Sequence, residues 1–267
     1  TNKGEKQTIH YFSNHRLDTF VRSVHAVLCI TSNQQRKDKN LIQPYIIKSE
    51  RAIVLNRPTP IFNYQYIWIT SPMIPEYSLY HIMMKPSNSS FVDTHQIGYK
   101  VWSINALLKS IDTVHSHGFA HLAIDLTSFY INHEMKTTDW RLGNFDFARL
   151  LTDKYVYSRG GIKFPPHTSY TAPEIIQEKQ ITLDQLKKVD IWSLGCVIYT
   201  LVTEGLILFE DATHIKNLMT FNDDMKNYLK IVIRDHVENL LFKNLLELML
   251  QVYPDNRKTI KEIISYW

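Results

Sequence analysis

The chain has 267 residues, 44% of them apolar and 21% charged, enough for one compact domain or two closely packed lobes, and this excludes disorder over most of the length. A formal net charge of +4 is too mild to imply nucleic acid or a membrane surface, and neither is expected as a partner. The basic stretch at Arg36, Lys37 and Lys39 has no interleaved aromatics and reads as a solvated loop.

Cys29 and Cys196 are too far apart for a disulfide framework or a metal motif, which favours a reducing compartment, the cytoplasm or the nucleus. No apolar run reaches the roughly 18 residues of a membrane span. Thr1–Lys6 is polar and lacks the apolar core of a leader peptide. Asn88-Ser89-Ser90 fits a glycosylation triplet, but the cysteine pattern argues against secretion.

In chain order, short strands are expected at Gln7–Phe12, Ala52–Leu55 and Tyr66–Thr70, which are rich in Ile, Val, Tyr and Trp. Between the first two lies a helix at Leu17–Ile30, with Leu17, Phe20, Val21, Val24 and Leu28 as its apolar face. Pro72 and Pro75 end this strand-rich part. A second helix is expected from Thr94 to His117, carrying Ile97, Val101, Ile104, Leu108, Ile111 and Val114, with Gly118 at its C-cap. Asp190–Thr203 is apolar nearly all round and belongs inside a core. A Leu-dense helical region spans His236–Val252, and Thr259 caps a last helix bearing Ile260, Ile263, Ile264 and Trp267.

The second half holds short motifs in a telling order. They are "HSHGFAHLAIDLTSFYI" (His115–Ile131), "LGNFDFARLL" (Leu142–Leu151), "YTAPEII" (Tyr170–Ile176), "VDIWSLGCVIYTLVT" (Val189–Thr203) and "YPDNRKTIKEI" (Tyr253–Ile263). Their order and spacing resemble the eukaryotic protein kinase family, in a degenerate form. The resemblance implies an α+β fold of two lobes: a reduced strand-rich N-lobe at 1–73 and a helical C-lobe at 74–267. It implies that Glu174 pairs with Arg257 and that Asp190 bonds the backbone of the catalytic loop. His121, Phe145, Trp192 and Gly195 complete this architectural set.

The positions that carry phosphoryl transfer in the family are altered. That chemistry needs bound Mg²⁺, phosphate clamps and a positioned base. Ala123 stands at the catalytic Asp, Asp125 at the phosphate-contacting Lys, Ser128 at the metal-binding Asn and Asn144 at the metal-binding Asp. His10 stands at the strand Lys and has no permanent charge. No Glu lies between Glu5 and Glu50 to pair with it, Gly4 is the only Gly before Gly98, and few residues precede His10 to form a phosphate-covering loop. Thr70 aligns with the residue at the end of the last N-lobe strand, followed by a hinge at Ser71–Met73 in which Pro72 offers no N–H.

These substitutions lead to the expectation of a pseudokinase that is not an enzyme and takes no cofactor or metal. It would act as a scaffold, allosteric regulator or decoy in a kinase-linked pathway, on a protein partner that is a true kinase or a kinase substrate. The helix at Leu17–Ile30 and the segment Asn144–Glu174, read as a long surface loop containing Arg159, Gly160, Gly161, Pro165 and Pro166, are the expected docking surfaces. The alternative is an unconventional phosphotransferase or weak nucleotide binder using Asp125 and Asp146, reached by a two-residue slip in both motifs. That slip takes Phe129–Ile131 and Ala148-Arg149 out of register.

Overall fold

A computed structural model describes residues 7–13, 16–35, 45–54, 64–71, 73–84, 95–131, 140–151, 164–220 and 224–267. Gly4, Glu5, Arg36–Lys39, Pro72, Asn88–Ser90 and Arg159–Gly161 lie outside these residues.

The first part is a three-stranded antiparallel sheet with one helix. β1 (Thr8–Ser13) and β2 (Ser49–Val54) both pair with a central β3 (Tyr64–Thr70). Between the first two strands runs α1 (Leu17–Gln35). Its buried residues are Phe20, Ser23, Val24, Ala26, Val27 and Ile30, while Leu17, Val21 and Leu28 are 42%, 48% and 44% exposed. The expected apolar face is thus corrected: it is turned about the helix axis. Phe20, Val24, Val27 and Ile30 also recur at helical spacing, and burying Ser23 between them is acceptable because its hydroxyl finds partners.

The second part is helical. α2 (Leu79–Met84) leads to α3 (Ile97–Ser116), which buries Ile104, Leu107, Leu108, Ile111 and Val114 and ends at Gly118 with φ 80°. Two small antiparallel ladders follow: β4 (Phe119–Ala120) with β7 (Arg149–Leu150), and β5 (Phe129–Ile131) with β6 (Trp140–Leu142). The short helix α4 is Pro173–Ile176. The segment from Asn144 to Glu174 is therefore not all loop, since it holds a turn at Phe145–Phe147, strand β7 and the start of α4.

α5 (Leu183–Val202) begins earlier than the apolar run suggests, because Thr182 and Gln185 form a reciprocal N-terminal capping box. From Val189 to Val202 every residue is buried. Gly195 lets this helix approach its neighbour: a Cβ there would stand 2.8 Å from Leu250 Cδ2 and 3.2 Å from Met249 Cβ. α6 (Ala212–Leu218) and α7 (Asp224–His236) precede the Leu-dense region expected at His236–Val252, which holds α8 (Leu240–Met249). His236 ends a helix rather than starting one. Asn239 caps α8 through Leu241 and Phe242, and this restart separates it from α7. Thr259 caps α9 (Ile260–Tyr266) in a box with Glu262, whose carboxyl is drawn down to about 2, first by the Thr259 backbone N–H and then by the Thr259 hydroxyl. Among the described residues, no helix is long and apolar enough to cross a membrane.

Candidate functional site: the cleft between sheet and helices

The architectural residues meet around Asp190. Its carboxylate accepts from the backbone N–H of His121 and of Leu122, both at 2.7 Å, and lies 2.9 Å from His115 Nε2. Leu122 sits at φ 65°, a conformation that costs a non-Gly residue roughly 1–2 kcal/mol, and the Asp190 bond holds it there. His121 is fully buried; its ring reaches the Gly143 carbonyl at 2.8 Å and meets Phe145 edge-on at 4.8 Å. Further down, Arg257 donates to both oxygens of Glu174 at 2.6 and 2.7 Å, all buried. It also lies over the Trp192 ring at 4.9 Å and donates to the carbonyls of Lys188, Gln251 and Val252. All five N–H groups of Arg257 thus have an acceptor.

The altered positions Ala123, Asp125, Ser128 and Asn144 lie on two neighbouring segments joined by the Asn144–Thr127 hydrogen bond. Ala123 offers a methyl group, half-buried, beside a cavity of about 60 Å³ shared with Asp125, Phe164 and Tyr170. Asp125 Oδ1 accepts from Thr127 N and Thr127 Oγ1 at 2.7 Å each and lies 3.0 Å from Ser128 Oγ, which caps its own turn. Ser128 Oγ is 2.9 Å from the Ala123 carbonyl. Asn144 sits at φ 59° and donates from Nδ2 to the Thr127 carbonyl at 3.2 Å. Phe129–Ile131 pairs with Trp140–Leu142 and Arg149 pairs with Ala120, which agrees with the unslipped register.

From the sheet, His10 projects between Thr70 and Trp68, with Nε2 3.2 Å from Thr70 Oγ1 and ring centroids 5.1 Å apart. Burial holds its imidazole below the ordinary value, with nearby Asp146 pulling the other way.

Sequence reasoning missed three residues here. Ser23, on the buried face of α1, lies 3.0 Å from Asp146 Oδ1, and Arg22 Nε reaches the Asp146 carbonyl at 3.4 Å. Thr8 Oγ1 accepts from the backbone N–H of Met73 at 2.7 Å, so the hinge donor is taken from within the chain. The Met73 side chain lies over Gly143, where an added Cβ would stand 2.6 Å from Met73 Cε. The hinge carbonyl of Ser71 accepts from Thr70 Oγ1 at 3.0 Å. A serine on a helix and a threonine on a strand carry no motif, and only the absence of Glu from α1 hinted that another residue must fill that place.

A family profile described as the protein kinase domain matches residues 36–267, most of the chain. The chain belongs to the protein kinase family. This kinase domain has the family's two-lobed α+β fold, with a small strand-rich N-terminal portion and a helical remainder. It is 24% identical over 92% of its length to a Saccharomyces cerevisiae protein named "Putative serine/threonine-protein kinase", of which it spans 25%. It is 25% identical over 60% of its length to the serine/threonine-protein kinase PLK4 of Nematostella vectensis, spanning 15% of that protein. It is 26% identical over 61% of its length to the serine/threonine-protein kinase cds1 of Schizosaccharomyces pombe, spanning 34% of it. The kinase domain thus spans between 15% and 34% of these relatives' length.

These findings correct one expectation. The altered positions led to a chain outside the enzymes, whereas the family match and the relatives, named as serine/threonine-protein kinases, point to an enzyme family. Single positions such as Ala123 or Asn144 describe local chemistry and do not decide membership of that family.

The family implies a magnesium-bound triphosphate in this cleft, and the described donors do not fit one in the usual pose. Ala123 supplies no carboxylate, Asn144 no charge, and Asp146 is engaged by Ser23. Among the described residues no group of three or more His, Cys, Asp or Glu side chains is placed to hold a metal.

Proposed function

We propose that this kinase domain works through protein binding, as a scaffold or allosteric regulator in a kinase-linked pathway of the cytoplasm or nucleus, and holds nucleotide weakly. The observation that carries the reading is the outer face of α1, where Leu17, Val21 and Leu28 are exposed along the helix next to the cleft. Apolar side chains aligned in this way mark a contact surface rather than a scatter of single exposed residues. The partner is a true kinase or a kinase substrate. Weak nucleotide binding is supported by the Thr8–Met73 hydrogen bond, which occupies the hinge donor a base would use.

The test is capture from extract with the wild-type domain and with Val21→Glu/Leu28→Glu, read by mass spectrometry. The expected result is a kinase or kinase substrate held by the wild type and lost by the variant, with both proteins melting alike. An unchanged set of captured proteins overturns the reading.

The naming of the relatives as kinases favours a second reading, an unconventional phosphotransferase built on Asp125 and Asp146. A titration with ATP and Mg²⁺ separates the two. At a ligand concentration equal to Kd, binding adds about 0.4 kcal/mol, or roughly 1 °C in Tm. A metal-dependent rise of several times that, with phosphate turnover lost in Asp146→Asn, supports the second reading.

A further inference from the structure

A second cavity shares no lining residue with the pocket beside Ala123. It measures about 420 Å³ and opens between α7, the end of α6, the segment after α4 and the segment after α8. Its floor is apolar and buried: Met225, Leu229 and Ile233 from one face of α7, and Leu250 from the end of α8. These side chains recur every four residues on α7 and turn inward, so the floor is part of the core and is rigid. The volume suits one large apolar side chain with its flanking backbone.

The rim has a marked charge bias. Lys179, Lys226 and Lys230 surround the opening, and Glu247 is the one carboxylate among the lining residues. Among the described residues none of the three lysines takes part in an ion pair. Three like charges around an apolar pocket repel one another, and an incoming anion relieves that repulsion. Tyr253, 62% exposed, stands at the edge, a residue type enriched where proteins meet. Gln177 on the wall has a side-chain oxygen without a hydrogen-bond partner among the described residues.

We infer that this groove docks a short acidic peptide segment of a protein partner, one large apolar side chain entering the cavity and flanking Asp or Glu side chains meeting Lys179, Lys226 and Lys230. This deepens the protein-binding reading and rests on it, while using a surface whose lining includes no residue of α1 or of the pocket beside Ala123.

The test is selection of short random displayed peptides on the whole domain. The expected result is enrichment of sequences with one Leu, Phe or Met flanked by Asp or Glu. Their binding weakens with rising salt and falls by about tenfold or more in Lys226→Glu/Lys230→Glu. Both lysines are exposed, so the variant folds, and its melting curve checks this. Peptides without acidic bias, peptides indifferent to the variant, or no enriched peptide would each overturn the inference. A self-association in sedimentation that the variant abolishes overturns it as well, by making a second copy the occupant. Failure here, with capture through α1 intact, removes the groove and leaves the broader reading standing.

Discussion

Ser23 Oγ stands 3.0 Å from Asp146 Oδ1, and this contact joins α1 to the turn that follows Asn144. The serine is fully buried and also lies 2.8 Å from the Thr19 carbonyl, so its proton is shared between the helix and the carboxylate. α1 carries no glutamate to set against the residue at the strand-lysine position. Here the strand residue is His10, and Asp146 lies within its electrostatic reach. Ser23→Ala is expected to cost about 1–2 kcal/mol in denaturant unfolding, because Asp146 loses a donor to a charged acceptor. Hydrogen exchange is expected to rise in α1 and not in α5. An equal rise in both would show that the contact does not position α1.

Thr8 closes the hinge by accepting from Met73 N–H at 2.7 Å. Thr8→Ala is expected to lose about 0.5–1.5 kcal/mol of stability and to free that donor for a base. Adenosine is the right probe, since it carries no phosphate and isolates the hinge from the altered metal positions. Calorimetry is expected to show adenosine binding the variant up to about tenfold more tightly than the wild type, one hydrogen bond's worth. Equal affinity would mean that some other contact closes the slot.

The pair Glu174–Arg257 carries no chemistry and much of the architecture. Removing one side, as in Arg257→Met or Glu174→Leu, leaves a buried charge and is expected to cost about 3–5 kcal/mol. The double variant Glu174→Leu/Arg257→Met removes both charges and is expected to recover part of that loss. Denaturant melts of the four proteins measure the cycle. Additive losses would place the energy in the backbone carbonyls around Arg257 instead.

The sequence made this pair legible because motif spacing locates it, and the core helix α5 because it is apolar nearly all round. Elements with strong periodicity and caps, such as α3 and α9, were readable to within a few residues. The face of α1 was not, since two sets of apolar residues share the helical period and only packing against the sheet chooses between them. α6 escaped because seven residues hold barely two turns of the helical period, whereas α7 was legible, since Met225, Leu229 and Ile233 recur at helical spacing, and was overlooked. The contacts that close the cleft lay beyond reach for another reason. Thr8 and Met73 are 65 residues apart, and Ser23 and Asp146 are 123 apart, so only the folded chain brings each pair together.

Two histidines, His121 buried and His10 half-buried, give the domain a definite response to pH. Burial lowers both His10 and His121 from the ordinary value of 6.5, with Asp146 opposing it at His10 and Asp190 opposing it at His121. In the window between the lowered folded values and 6.5, the unfolded chain binds more protons than the folded one. Stability is therefore complete above about pH 6.5 and is lost as the pH falls through that window. Carboxylates also titrate on acidification, so the informative quantity is the difference between wild type and His10→Gln, which keeps a donor for Thr70. The drop in Tm on going from about pH 7.5 to about pH 5.5 is expected to be smaller in the variant, with a residual slope from His121. A variant that loses Tm as steeply as the wild type would show that His10 is not held neutral, and that the cleft accommodates its charge.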